Sequence, residues 1–103
     1  MGYKLIVSTK SRKDINKITE YIINELKNPQ AADRFLDDVA EKYEHIMENP
    51  HIYASCDNSN LKQLGYRKIV IKNYLILYRI DEENQIVYVV SIVYGRSNYP
   101  EML

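Results

Sequence analysis

A chain of 103 residues, 46% hydrophobic and with only three Gly and three Pro, reads as one domain spanning 1–103 and not as a disordered tail. Its 14 basic side chains balance 14 acidic ones, so net charge gives no sign of a generic nucleic-acid binder. Cys56 is the single cysteine, which excludes an internal disulfide, and no apolar run is long enough for a signal peptide or a membrane span; a cytoplasmic protein is expected.

The charge is unevenly spread. Residues 29–60 carry two basic and seven acidic groups, whereas 61–80 carry five basic groups and no acid. Segregation of this kind builds a basic face and an acidic face on a neutral molecule. Ten Tyr against one Phe and no Trp suit half-buried positions, where the ring packs and the hydroxyl finds a partner.

In chain order, residues 3–8 read as a short strand. Ser11 with Asp14 three residues later marks a helix start, after which Ile15, Ile18, Ile22 and Leu26 recur at helical spacing. Asn28-Pro29 breaks the pattern and opens a second helix, with Asn28 as its cap. The stripe of that helix is Ala32, Phe35, Leu36, Val39, Tyr43, Ile46 and Met47, and Asn49-Pro50 ends it. So short a connection predicts an antiparallel helix hairpin. Residues 51–65 are polar and irregular and read as a loop. Then the period changes: 67–72, 74–80 and 86–94 are rich in Ile, Val, Leu and Tyr and predict three strands. The turns at Lys72-Asn73 and at 81–85 are tight. The last strand is apolar on both faces, which suits a central or well-covered position. The expected fold is α+β, a helix hairpin packed on one face of a mainly antiparallel sheet in the order β-α-α-β-β-β.

That order comes with recognisable residues: Tyr21-Ile22, Asn28-Pro29-Gln30-Ala31-Ala32, Leu64-Gly65-Tyr66-Arg67, residues 73–79 with Asn73, Tyr74, Leu75 and Arg79, and the terminal Tyr94-Gly95-Arg96. Together they resemble the RelE/ParE toxin superfamily over nearly the whole chain. The resemblance implies the toxin of a type II toxin–antitoxin system, which arrests growth until a cognate antitoxin covers it. RelE-like members are metal-independent endoribonucleases that cut mRNA in the ribosome. There, basic side chains stabilise the scissile phosphate and a tyrosine near the carboxyl terminus helps activate the sugar hydroxyl. ParE-like members poison DNA gyrase instead.

In the RelE-like case the resemblance assigns catalytic roles to Arg96 and Tyr99, while Arg67, Lys68 and Lys72 would bind phosphate or a partner. Lys68 and Lys72 are expected on one face of the second strand. Leu75 departs from the RelE-like pattern, which usually has an arginine there, and points toward ParE. Ser97-Asn98 stands where many relatives show Arg-Asp, which admits a third reading, a scaffold that has lost toxicity. His45 reads as structural, and His51 with Cys56 has no metal-ligand spacing. No metal and no cofactor are expected.

Overall fold

The computed structural model describes residues 2–97 and 99–101. β1 (Lys4–Val7) runs directly into α1 (Thr9–Asn24), and α2 (Pro29–Glu48) folds back against it. A short α3 (Ser59–Gln63) precedes β2 (Tyr66–Ile71), β3 (Tyr74–Asp81) and β4 (Ile86–Tyr94), and Tyr99–Glu101 form a single 3-10 turn. The sheet order is β1-β4-β3-β2. β2, β3 and β4 form an antiparallel meander, and β1 lies parallel to β4. The expected α+β order is therefore observed, with β4 inside the sheet as its two apolar faces required.

The helix boundaries follow local chemistry. Asn28 caps α2 through its side chain, which accepts from Ala31 N at 3.0 Å, and Pro29 occupies the first turn, where its missing N–H costs nothing. At α1 the expectation fails. The cap is Ser8, whose Oγ accepts from Ser11 N at 3.0 Å, because the chain passes from strand to helix with no loop between them. Ser11 and Asp14 lie inside the helix and turn to other partners. Leu26 also leaves the predicted stripe: α1 ends at Asn24, and Leu26 is exposed.

Residues 51–65 hold more structure than their composition announces. Asn58 caps α3, and Leu61 anchors it in the interior. Five residues are too few to display a helical period, so nothing in the pattern marks them. Next to them, Cys56 N donates to Tyr66 O and Lys68 N to Ala54 O, both at 3.1 Å, so this segment lines the outer edge of β2.

Each face of the sheet carries a core. On the helix side, Ile22, Ala32, Phe35, Val39 and Ile46 pack against Ile69, Ile71, Ile76, Tyr78, Val87 and Val89. Tyr78 is fully buried, and its hydroxyl donates to Pro50 O at 2.6 Å, tying the end of α2 to the sheet. On the opposite side, Cys56, Leu61, Leu75, Leu77 and Val93 form a smaller cluster with Tyr66 and Tyr99 at its margin. No helix among the described residues is long and apolar enough to cross a membrane.

Tyr43 stands apart among the buried polar side chains of the described residues. Its hydroxyl is buried and has no hydrogen-bond partner among the described residues, and burial pushes its pKa up to about 12. An orphaned buried hydroxyl costs about 1 kcal/mol or more. Tyr43→Phe should therefore raise stability by about 1 kcal/mol in urea unfolding at neutral pH. In the unfolded chain a phenol ionises near ~10, whereas the native Tyr43 holds its proton longer, so this group withdraws stability as pH rises from there. The Phe variant should lose less stability than the parent over that alkaline window. Equal losses in both would show that Tyr43 is not the group responsible.

Candidate binding site at the end of the sheet

The carboxyl end of β4 meets the β2–β3 turn. Lys72 and Asn73 make that turn, with Ile71 paired to Tyr74, and Lys72 adopts a left-handed φ of 51°. Lys72 thus lies outside the strand and does not share a strand face with Lys68, contrary to the simple alternation read from the sequence. Gly95 N donates to Asn73 O at 2.7 Å and clips the two ends together. A Cβ on Gly95 would stand 3.2 Å from that same oxygen, a close approach that favours glycine here. Beyond it, Ser97 N and Oγ both donate to Tyr94 O, at 3.0 and 2.6 Å, closing a tight turn that carries Arg96 at its exposed tip.

Lys72 and Arg96 consequently border one hollow of about 280 Å³, together with Val70, Leu75 and Tyr94. A second hollow of about 340 Å³ continues around Tyr94 to the turn that joins the two helices, where Tyr21, Leu26, Phe35 and Tyr74 line it. Phe35, Tyr74 and Tyr94 stack edge to face in sequence, with centroids 5.5 and 6.0 Å apart. Tyr21, Leu26, Val70 and Tyr94 are about half exposed or more. An apolar surface with cations at its rim is the result, and such a surface suits a protein contact.

The other candidate residues are deployed differently. Arg67 points to the helix side, where its Nη1 donates to Tyr53 O at 2.6 Å and holds the 51–55 segment. Lys68 lies on the opposite face, with its Nζ 3.1 Å from Asp57 Oδ2, and this hydrogen bond raises its pKa. Asp57 is almost wholly exposed, so the pair contributes little to stability. Tyr99 packs beside Cys56 and Lys68. Burial raises its phenol pKa, with Cys56 and Asp57 adding to the rise and Lys68 offsetting only part of it. Burial likewise pushes the Cys56 thiol up, which marks an inert packing residue. Leu75 is buried between these groups and the Arg96 hollow.

The candidates therefore fall into separate places: Arg96 with Lys72, Tyr99 with Lys68, and Arg67 alone on the other side. Asn98 lies outside the described residues. Among the described residues no three His, Cys, Asp or Glu groups gather to hold a metal ion. Composition did not mark Tyr94, Tyr21 or Leu26 as site residues, though an aromatic at the end of the last strand was a usable signal. Asp57 was likewise overlooked as the partner of Lys68.

Comparison with known proteins bears on this arrangement. Residues 5–99 match the ParE toxin of the type II toxin–antitoxin system parDE. No curated protein matches the chain by sequence. Among solved structures, the chromosomal ParDE system of P. aeruginosa superposes with a TM-score of 0.70 at 14% identity, covering 89% of this chain and 95% of that one. The RelBE2 toxin–antitoxin complex of Mycobacterium tuberculosis gives 0.66 at 21% identity, with 91% and 99% covered. A mutant of E. coli toxin RelE in the free state gives 0.65 at 19%, with 99% and 93% covered. These similarities share the fold across both branches, while the sequence match extends over most of the chain. The chain belongs to the ParE toxin family, within the RelE/ParE superfamily of type II toxin–antitoxin systems.

Proposed function

We propose that this toxin arrests growth by contacting DNA gyrase through the Arg96 end of the sheet, and that a cognate antitoxin neutralises it by covering that region. The observation that carries this reading is Leu75. A phosphate-cleaving site needs cations converging on one oxygen cluster in a water-excluding pocket. Here an apolar side chain occupies the middle, with Lys68 turned to Asp57 and the Tyr99 phenol pKa raised by burial. Tyr99 in this state is a poor base. The antitoxin part draws on the family and on the fold shared with a toxin of the M. tuberculosis toxin–antitoxin complex.

Ribosome-dependent mRNA cleavage stands as the second reading, because Lys68 lies close enough to Tyr99 to favour its ionised form. Loss of toxicity remains the third, resting on Ser97 and Asn98. Induced expression with parallel readouts of plasmid supercoiling and transcript cleavage separates the three. Gyrase poisoning predicts relaxed plasmid and intact transcripts. Cleaved transcripts with normal supercoiling would overturn it in favour of the ribonuclease, and normal growth would favour the inert scaffold.

Arg96 sharpens the distinction. As a contact residue, Arg96→Ala should weaken gyrase binding by roughly tenfold or more, with growth inhibition falling in step and the melting temperature unchanged. In a ribonuclease the same change would remove about two orders of magnitude of cleavage rate while sparing ribosome binding. A stable, fully toxic Arg96→Ala protein would take Arg96 out of the site.

The antitoxin should approach the basic rim with carboxylates. Lys72→Glu, which keeps the turn and reverses one charge, should then lower antitoxin affinity by roughly tenfold and make binding less sensitive to salt. Unchanged affinity by calorimetry would place the antitoxin elsewhere.

A further inference from the structure

β1 ends at Val7, opposite Val89, but β4 continues to Tyr94. Past that point the flank of β4 has no β1 partner, and the amino-terminal turns of α1 take over. Ser8 N donates to Val89 O at 3.0 Å, and Ser8 Oγ donates to Val90 O at 2.8 Å. Asp14 Oδ2 then accepts from Ile92 N at 3.1 Å and from Ser91 Oγ at 2.9 Å. Lys10 Nζ donates to the same carboxylate oxygen at 3.1 Å and to Ser91 Oγ at 2.7 Å. Ser11 and Ser91 are fully buried within this network.

The same stretch holds a bulge. Leu77 pairs with Ser91 but Tyr78 pairs with Val89, so Val90 has no opposite number on β3. A bulge bends its strand and re-aims whatever follows. Here Tyr94, Gly95 and Arg96 follow, and Asp14, Tyr94 and Ser97 line one cavity of about 280 Å³. The Lys10–Asp14 pair, one helical turn apart, ties the helix only to itself. Bonds to Ile92 N and Ser91 Oγ do something else: they lock the helix to the strand just after the bend.

We propose that Asp14 is a positioning residue for the Arg96 turn: its carboxylate fixes the direction in which β4 leaves the bulge, and so where Arg96 is presented. This rests on reading Arg96 as a contact residue. The test is amide hydrogen exchange of the full chain, with growth inhibition measured alongside. Asp14→Ala should speed exchange at Ile92 and Gly95 by roughly ten- to a hundredfold, as loss of a charged hydrogen bond implies, while Ile76 and Val87 keep their protection. Growth inhibition should fall as it does for Arg96→Ala. Asp14→Asn, which keeps an acceptor in place, should restore both protection and toxicity. Unchanged exchange at Ile92 and Gly95 overturns the proposal, and so does acceleration spread evenly over β3 and β4, which is general destabilisation. Loosened amides with full toxicity overturn the positioning role as well, provided that Arg96→Ala is itself inactive. If Arg96→Ala keeps full toxicity, the reading of the site fails separately, and a growth effect of Asp14→Ala not matched by Arg96→Ala counts against the proposal.

Discussion

The hydrogen-bond ladders along the two flanks of β4 hold the parts of this molecule in register. Antiparallel β3 occupies one flank, and parallel β1 followed by the start of α1 occupies the other. The two faces of β4 are also covered, Val87, Val89 and Ile92 by the main core and Val93 by the smaller cluster, which accounts for its run of Ile and Val. The strand carries the chain from the β3–β4 turn back through the middle of the sheet. The tip that emerges at Tyr94 is therefore fixed by the whole fold, and the bond from Gly95 to Asn73 joins it to the neighbouring turn.

The two faces of the sheet have diverged in use. One is covered by the helix hairpin and forms the main core. The other is partly covered by the 51–65 segment and Tyr99, and its centre is filled by Leu75, Leu77 and Val93. A face filled in that way gives van der Waals packing rather than a field of converging charges. Cations are left at its edges, Lys68 against Asp57 on one side and Lys72 with Arg96 on the other. Recognition of a protein surface asks for that distribution, an apolar centre with a charged rim.

Much of the fold could be read from the chain because its punctuation is local. Asn28-Pro29 and Asn49-Pro50 act through the φ and capping preferences of those very residues, and the switch of period after Gly65 needs no tertiary partner. Reading failed where a residue's role depends on something distant. Ser11 and Asp14 have the spacing of a helix cap, yet they serve a strand some eighty positions away, a partnership invisible to a local pattern. Lys72 would have continued the alternation of β2 had the turn begun one residue later. Arg67 carries the same charge as its neighbours but satisfies a backbone carbonyl on the helix side. The place of Arg96 just past the final strand was legible, because the strand before it declares itself by composition alone. Its apolar surroundings were not, because Tyr21, Leu26 and Tyr94 meet only after folding.

Contact with a protein target, without chemistry on RNA, is the central claim about function. The most direct measurement is a reconstituted titration, with the purified toxin added to DNA gyrase and, separately, to ribosomes programmed with mRNA. The account predicts saturable binding to gyrase with loss of supercoiling, reversed by the antitoxin, and intact mRNA on the ribosomes at every toxin concentration. Cleavage of ribosome-bound mRNA without any binding to gyrase would contradict it.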